Sequence, residues 1–418
     1  KTYSAGIVGA EIIEDKWDGK TYWLKAKVSA DPKEVQKSLK KIIDDKYQAS
    51  QLEETRKKAE ELTKEVERLK IELAKTEDQK KQPSKKDEQE YETAIQGLIA
   101  IEWFNKGYNH FINKEEYDKA IEAFTSAIAI NPNYTSAYFG RGAAYGEKGQ
   151  YDRAIADYNK AIVLDPNYAF VYLGRGSAYG SLGDYQQEIK DYNKAIEIKP
   201  DYADAYYNRG TAYGKLGNYQ QAIKDLTKAI EIKPDYADAY SNRGVTYGSL
   251  GDYQQEIKDY NKAIEIKPDY ADAYSNRGAA YGKKGQYDNA IEDFNKAIAL
   301  DPNYVSAYIN RGAAYGKKGQ YDNAIEDFNK VIALDPNYAP AYYSRGIAYG
   351  KIGNHQQAIK DLTKVIEIKP GDAAAYHYRG VSYYLIGNKG RAISDFQKAC
   401  DMGNDRGCKG LQETLQKR

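Results

Sequence analysis

The 418-residue chain is poor in the residues from which metal centres and active sites are usually built. It has two cysteines, one methionine and three histidines, and His110, His355 and His377 stand far apart. No histidine, cysteine and carboxylate group has metal-ligand spacing, and no glycine-rich stretch has the spacing of a phosphate-binding loop. The sequence therefore predicts no enzyme activity, no cofactor and no metal.

An excess of one charge and long apolar runs are also missing. The chain has 62 lysines and arginines against 61 aspartates and glutamates, a formal net charge of +1. A surface that follows nucleic-acid phosphates needs a basic excess, so no nucleic-acid partner is predicted. No integral membrane segment is expected, because no apolar run has the required length. A signal peptide is absent too, which fits a cytosolic protein or a processed one.

What the sequence has in abundance is repetition. Eight prolines recur every 34 residues, at Pro132, Pro166, Pro200, Pro234, Pro268, Pro302, Pro336 and Pro370. In residues 203–236, Tyr206, Gly210 and Tyr213 share one helix face, Gly217 ends that helix, and a second amphipathic helix runs up to the proline. The period predicts one helix-turn-helix unit copied along most of the chain.

The residues within each unit resemble the tetratricopeptide repeat family. In residues 135–168 the matching positions are Tyr138, Gly142, Tyr145, Ala154, Tyr158, Ala161 and Pro166. The resemblance implies a mainly α fold, a right-handed α-solenoid of about nine units over residues 101–404, in which the first (A) helices line a groove. The units begin at Ile101, Thr135, Ala169, Ala203, Ala237, Ala271, Val305, Ala339 and Ala373.

Tyrosine is the most conspicuous residue type, with 42 copies. Thirty-three of them fall at five fixed repeat positions, those of Tyr138, Tyr145, Tyr151, Tyr158 and Tyr168. Aromatic residues at helical spacing usually form core. We therefore expect packing, and treat stacking on carbohydrate as a weaker alternative. Glu188 and Glu256 replace the small alanine of other units, and we expect them to face Arg175 and Arg243 or to reach solvent.

The resemblance also implies which positions face the groove: the second, fifth, ninth, twelfth and thirteenth of each unit. The predicted partner-groove residues are Phe139, Leu173, Tyr207, Thr211, Lys215, Ser241, Ser275, Lys283, Ile309, Lys317, Tyr343 and His377. Chaperone-adaptor members of the family bind acidic C-terminal tails with a Lys and Asn pair, which this chain lacks. We expect a shallow, mildly polar groove that holds an extended segment or a partner helix.

The first fifty residues follow a different pattern. Residues 5–16 and 21–29 alternate as strands around Asp18-Gly19, which predicts a β-hairpin followed by a helix. This stretch resembles the second half of a small α+β domain found at the front of some exported bacterial tetratricopeptide proteins. The resemblance implies that the natural chain extends upstream of Lys1.

A heptad follows within residues 51–82. Its apolar positions include Leu52, Ala59, Leu62, Val66, Leu69 and Leu73. So narrow a seam favours a coiled coil between chains, and the alternative is a helix that packs within its own chain. Residues 83–100 are predicted to form a linker and a leading helix.

Both cysteines, Cys400 and Cys408, lie where the last repeat meets a capping helix predicted over residues 405–418. They resemble the cysteine pairs of secreted, cysteine-rich relatives of these repeats, and the resemblance implies a structural disulfide. A disulfide fits an exported protein, periplasmic or extracellular. Two reduced thiols in a cytoplasmic protein are the alternative.

Together these features predict a non-enzymatic protein-protein interaction scaffold of an exported bacterial type. It would bind partners in the groove and form a homo-oligomer through its N-terminal region. The alternative is a structural subunit that assembles with copies of itself into an extracellular filament or lattice.

Overall fold

The computed structural model describes residues 10–17, 22–28, 57–72, 85–113 and 116–416. The chain divides into two compact units, Lys1–Leu182 and Gly183–Arg418, which we describe separately. The first contains the strands β1 (Ala10–Trp17) and β2 (Tyr22–Val28) and the helices α1 (57–72), α2 (Lys85–Ile112), α3 (Tyr117–Ile130), α4 (Thr135–Glu147), α5 (Tyr151–Leu164) and α6 (Ala169–Ser181).

Over its described residues, the second unit consists of helices and the turns that join them. Its helices are α7 (Tyr185–Ile198), α8 (Ala203–Lys215), α9 (Tyr219–Ile232), α10 (Ala237–Ser249), α11 (Tyr253–Ile266), α12 (Ala271–Lys283), α13 (Tyr287–Leu300), α14 (Val305–Lys317), α15 (Tyr321–Leu334), α16 (Ala339–Lys351), α17 (His355–Ile368), α18 (Ala373–Leu385), α19 (Lys389–Asp401) and α20 (Asp405–Gln416). Every A helix from α4 to α18 begins at the unit start given by the sequence, so the repeating helix-turn-helix arrangement is confirmed.

Two kinds of turn separate the helices. After each A helix from α4 to α18 the chain passes through a glycine with positive φ, such as Gly217 at +75°. An L side chain rarely adopts that conformation, which explains why all of these units have glycine there. After each second (B) helix from α3 to α17 the chain leaves the helical conformation at residues such as Lys233, and Pro234 or its equivalent follows, where a further helical turn would lack its amide hydrogen.

The core of each repeat lies between its two helices, where small residues allow close approach. A Cβ atom at Gly210 of α8 would lie 2.9 Å from Cγ of Leu226 on α9. Ala222 and Ala229 of α9 are completely buried. The tyrosines complete this core: wherever tyrosine side chains are described, between residues 91 and 384, each is buried or half-buried.

In the N-terminal part, β1 and β2 pair antiparallel, with an irregularity in register between Ile12 and Glu14. Residues 18–21 and 29–56, which include the predicted hairpin turn, lie outside the described part of the chain. The proposed relation to a small α+β domain therefore stays a prediction.

The heptad helix α1 packs within its own chain. Leu69 is 1% exposed, and a Cβ added at Gly97 of α2 would lie 3.0 Å from Cδ1 of Leu62. Ala59 and Val66 are half-buried. These contacts correspond to the intramolecular alternative for the seam. Leu52 and Leu73 lie outside the described residues.

The segment between the heptad and the repeats also differs from the simplest expectation. Residues 83–100 were expected to contain a linker, yet α2 runs without interruption from Lys85 to Ile112, so the leading helix and the first A helix are one. Its first turn carries Asp87 and Glu88, whose charge favours a helix start there.

Candidate interaction surface

An arginine in each A helix from α4 to α18 holds the repeat units in register. Arg243 of α10 donates from Nε and Nη2 to the two carboxylate oxygens of Asp259 on α11, both at 2.8 Å. Its Nη1 donates to Thr227 Oγ1 on α9, in the preceding repeat, at 3.0 Å. Asp259 is only 3% exposed, so this bidentate pair is shielded from water.

The same arrangement recurs along both compact units, and we call it the arginine ladder. Its described Arg–Asp pairs are Arg141–Asp157, Arg209–Asp225, Arg243–Asp259, Arg277–Asp293, Arg311–Asp327, Arg345–Asp361 and Arg379–Asp395, at 2.6–3.0 Å. The ladder was missed in the sequence, although arginine followed by aspartate 16 residues later is visible in every unit after the first. It positions the A helices. The faces of these helices that carry the predicted groove residues form the candidate surface.

Within the second unit, that surface carries a row of hydrogen-bonded tyrosines and aspartates. Tyr236 Oη donates to Asp204 at 2.9 Å, and Tyr304 Oη donates to Asp272 at 2.5 Å. At the equivalent place between them, burial and the nearby Asp238 carboxylate raise the pKa of Tyr270. Burial and the adjacent carboxylate raise the pKa of Tyr304 to about 12, so its proton stays in place. We call the pairs Tyr236–Asp204 and Tyr304–Asp272 the tyrosine–aspartate row.

Next to the row, α8 and α10 share a polar contact. Asn242 Nδ2 donates to Tyr207 Oη at 3.0 Å and to Thr211 Oγ1 at 3.1 Å. The Tyr207 ring lies 4.9 Å from that of Tyr236, centroid to centroid. Tyr207 and Thr211 are half-buried, so their predicted place at a surface is compatible with their exposure.

In the first unit, the equivalent surface is aromatic and aliphatic, and we call it the aromatic segment: Phe139, Tyr168, Phe170 and Leu173. The Phe139 ring lies 5.5 Å from Tyr168, which in turn meets Phe170 edge to face at 5.8 Å. All four residues are half-buried. Phe139 and Leu173 were predicted groove residues, and the structure brings Phe139 into this cluster.

The remaining predicted groove residues differ in accessibility. Lys215, Lys283 and Lys317 are exposed, whereas Ile309, Tyr343 and His377 are half-buried. Ser241 and Ser275 are 3% exposed and therefore offer no surface to a partner. Tyr270 lies next to Ser241, and Tyr304 lies next to Ser275.

Glu188 and Glu256 are buried, at 6% and 5% exposure. Tyr192 Oη donates to Glu188 Oε1 at 3.0 Å, and Oε2 of each glutamate is buried without a hydrogen-bond partner. Burial raises the pKa of both carboxyls, while Lys215 and Lys283 oppose the shift. The expectation that Arg243 would pair with Glu256 is wrong, since that guanidinium is committed to Asp259.

Glu256 also explains one glycine. A Cβ added at Gly248 would lie 2.5 Å from the Glu256 carboxylate, whereas glycines at the same position in repeats with alanine, such as Gly214 and Gly282, face open space. The glutamate side chain therefore occupies the room between α10 and α11.

At the C-terminal end, α20 packs on α18 and α19. Cys400 of α19 and Cys408 of α20 form a disulfide, with their Cα atoms 4.5 Å apart. The bond ties the capping helix to the last repeat. Within the described residues, no group of three potential ligands among histidine, cysteine, aspartate and glutamate is placed to hold a metal ion. No described helix is both long and apolar enough to cross a bilayer.

Helix pairs of constant length, joined by an arginine ladder, define an α-solenoid repeat protein. Family models identify the repeat. A model described as tetratricopeptide repeat matches residues 203–236, 271–304, 305–338 and 339–372. A TPR repeat model matches residues 109–149, 145–183, 176–217 and 247–285, and a second tetratricopeptide repeat model matches residues 226–258. Together the matches run from residue 109 to residue 372, more than half of the chain, which therefore belongs to the tetratricopeptide repeat family.

Several solved structures resemble parts of the chain. MamA is 35% identical over 38% of this chain and 94% of its own, with a TM-score of 0.37. A tetratricopeptide repeat protein from Parabacteroides merdae is 25% identical over 59% and 98%, with a TM-score of 0.44. YrrB, described as a TPR protein with an unusual peptide-binding site, is 28% identical over 45% and 96%, with a TM-score of 0.38. Among curated protein sequences, none matches this chain.

Proposed function

We propose that this chain is a protein-protein interaction scaffold that binds extended segments of partner proteins along the outer faces of its A helices. The observation that carries the proposal is the contrast between an invariant arginine ladder and a variable surface at the second and fifth repeat positions. The arginine and aspartate that hold the fold recur in every repeat after the first, while residues such as Phe139, Tyr207 and Ile309 differ from repeat to repeat. A fixed frame with changing surface chemistry suits recognition of a partner sequence.

The proposal is tested with peptides selected from a random displayed library on the full chain. Lys317→Glu reverses an exposed charge on α14, and Lys330→Glu makes the same change on α15, a B helix. We expect the α14 variant to weaken the selected peptides about fivefold or more, and the α15 variant to leave them unchanged. Equal effects of the two variants would place binding elsewhere.

We also propose that the chain self-associates through its N-terminal region. Ile71 on α1 is 57% exposed although Leu69 beside it is buried, so the helix retains an apolar surface after packing on its own chain. Light scattering of the full chain and of Ile71→Lys, over a wide concentration range, tests this. If the unmodified protein has the mass of one chain at every concentration, the self-association proposal is wrong.

An exported location is proposed from the disulfide, because such bonds persist in oxidising compartments. The test is alkylation of the protein as taken from its natural host cells. Cys400 and Cys408 should resist a thiol reagent until a reductant is added. Labelling without reduction would indicate a reducing compartment.

Assembly into a filament or lattice is the second candidate, and one observation favours it. Exposed apolar side chains recur at the turn after the A helices of the second unit, namely Leu216, Leu250, Ile352 and Ile386, at 38–45% exposure. Repeated apolar contacts between different surfaces produce open-ended assemblies. Negative-stain imaging of the heaviest scattering fraction should then show fibres or sheets, and Leu250→Lys should abolish them. Discrete particles alone would exclude this function.

A further inference from the structure

Two carboxylates are buried among the helices of the second unit. Glu188 of α7 is 6% exposed, and Glu256 of α11 is 5% exposed. The Oε2 atom of each is buried without a hydrogen-bond partner, while Oε1 of Glu188 accepts a hydrogen bond from Tyr192 Oη at 3.0 Å. A carboxylate with an oxygen that lacks a donor is poorly stabilised when it is ionised, whereas its protonated form is neutral and tolerates burial.

The surroundings of Glu256 involve three helices. Its carboxylate occupies the space next to Gly248 of α10, where an added Cβ atom would lie 2.5 Å from Cδ of the glutamate. From α12, the positive charge of Lys283 favours the ionised form of this carboxyl. Lys283 Nζ lies 5.2 Å from the ring centroid of Tyr253, the first residue of α11. Lys283 is exposed and is a predicted groove residue, so it connects the buried carboxyl to the surface.

The other charged or titratable groups around Glu256 have partners or keep their protons. Tyr260, one turn further along α11, has a pKa raised by burial and stays neutral. On α10, the Arg243 guanidinium is paired with Asp259. The Asp252 carboxylate accepts a hydrogen bond from a backbone N–H in the first turn of α11. The buried glutamate and the lysine of α12 are thus left as the pair whose net charge depends on pH.

The same arrangement recurs between α7 and α8. The charge of Lys215 on α8 favours the ionised form of Glu188, and Lys215 Nζ lies 5.3 Å from the ring centroid of Tyr185. Lys215 is also exposed and is also a predicted groove residue. We call the two sites the glutamate–lysine junctions: Glu188 with Lys215, and Glu256 with Lys283.

The remaining repeats offer an internal comparison. In all of them alanine holds the position of the glutamate, as at Ala290 of α13, which is completely buried. Lys317 on the next A helix, α14, has the same repeat position as Lys283 but follows a repeat with alanine. It is therefore an exposed lysine of the candidate surface without a buried carboxylate beside it.

We propose that the glutamate–lysine junctions are proton-linked switches that set the charge of the candidate surface. A junction with a protonated glutamate carries the positive charge of its lysine, and a junction with an ionised glutamate is neutral. An anionic internal segment of a partner that lies at Lys215 or Lys283 therefore binds better when the glutamates are protonated. Its binding favours protonation of the glutamates by the same factor. This inference rests on the proposed scaffold function and adds the regulation of that surface by pH.

Burial determines the direction of the switch. It raises the pKa of Glu188 and Glu256, so these carboxyls take up protons before exposed carboxyls do as pH falls. Lysines keep their charge throughout this range. Affinity for an anionic segment should therefore rise as pH falls, while the exposed carboxylates of the partner are still ionised.

The test measures how pH affects the binding of an anionic peptide to the full chain. The probe is a rhodamine-labelled peptide of repeating Gly-Ser-cysteic acid with an amidated C-terminus, because its sulfonates stay ionised at every pH used. Fluorescence polarisation at low, constant ionic strength keeps screening small. We expect affinity to be about fivefold higher near pH 5 than near pH 8, since each junction gains a positive charge. Equal affinity at the two pH values, or no binding at either, overturns the proposal.

Variants assign the pH dependence to the glutamates. Glu188→Gln combined with Glu256→Gln removes both ionisable groups and should bind the probe more tightly than the unmodified chain near pH 8. Loss of folding cannot produce such a gain. Glu188→Ala combined with Glu256→Ala should show the same gain, because alanine is the residue of the other repeats. A double glutamine variant that keeps the full pH dependence overturns the proposal.

Matched controls use the same kind of substitution at exposed positions. Glu292→Gln on α13 removes an exposed carboxyl and should keep the pH dependence of the unmodified chain. Lys317→Gln should weaken the probe and leave the ratio of the two affinities unchanged. Histidines contribute equally to every variant, so the comparison isolates the glutamates. A ratio that falls as far in Glu292→Gln as in the double glutamine variant overturns the assignment to buried groups.

Two outcomes separate this proposal from its premise. If library peptides lose affinity in Lys317→Glu but not in Lys330→Glu, while the double glutamine variant keeps the pH dependence of the probe, the scaffold function stands and the switch fails. If Lys317→Glu and Lys330→Glu act equally on those peptides, the premise itself fails.

Discussion

The aromatic segment and the tyrosine–aspartate row occupy equivalent places on repeats that share one frame. Phe139, Phe170 and Leu173 give the first unit an apolar surface, whereas Asp204 and Asp238 give the second unit an acidic one. Beneath both, the same Arg–Asp pairs have the same geometry, as at Arg141 with Asp157. The difference teaches that the fold and the surface chemistry are specified by separate positions of the repeat.

The largest expected effect tests whether the arginine ladder stabilises the fold equally beneath the aromatic segment and beneath the tyrosine–aspartate row. Arg141→Ala and Arg243→Ala should each cost about 3–5 kcal/mol, because each leaves a buried aspartate without its partner. Urea unfolding followed by circular dichroism measures the loss. Lys224→Ala on the exposed face of α9 should lie within about 0.5 kcal/mol of the unmodified chain. Losses that differ by several-fold between the two arginines would contradict a common frame.

A smaller effect distinguishes the surfaces themselves. Phe139→Ala should cost about 2 kcal/mol, since the half-buried ring contacts Tyr158 and Tyr168. Tyr207→Phe should cost about 1 kcal/mol, because it keeps the ring and loses the hydrogen bond from Asn242. The same unfolding experiment compares them. A larger loss at Tyr207 would mean that the polar contact, rather than ring packing, dominates.

The third prediction concerns pH and is confined to repeats with a buried glutamate. The pKa of Glu256 is raised by burial, so the folded state holds its proton more tightly than the unfolded state. The stability this provides is complete below the unfolded pKa and is lost as pH rises through the folded value. Glu256→Gln should therefore match the unmodified chain near pH 4 and be about 1 kcal/mol more stable near pH 8.

The control for this prediction is Glu292→Gln on α13, where the carboxylate is exposed. Its unfolding free energy should follow the unmodified chain at both pH values. A pH-independent difference for Glu256→Gln would show that charge burial is not the cause.

The smallest effect is expected from the tyrosine–aspartate row. Asp272→Asn keeps an acceptor for Tyr304 and removes a partly solvated charge, so the cost should stay below about 1 kcal/mol. Thermal unfolding of this variant beside Asp322→Asn, an exposed aspartate of α15, measures the difference. A loss as large as that of Arg243→Ala would mean that the tyrosine–aspartate row stabilises the fold as the arginine ladder does.

The repeat length, the helix starts and the packing role of tyrosine follow from the sequence, because Pro234, Gly217 and their equivalents act locally. The arginine ladder does not, since Arg243 meets partners 16 residues before and after it, on two other helices. The burial of Ser241 was missed because Tyr270, in the next turn between repeats, lies against its short side chain. The position of Leu69 depended on α2, and a heptad alone does not identify the partner of a helix.

The ladder bears on how such a chain changes its length. Because each arginine reaches 16 residues backward and 16 forward, inserting or deleting one whole 34-residue block leaves every contact with a chemically equivalent partner. Residues 180–206 recur identically as residues 248–274, as expected if blocks of this sequence have been copied. The number of repeats can then change during evolution without any new contact between helices. The surface available to a partner lengthens or shortens by one repeat at a time.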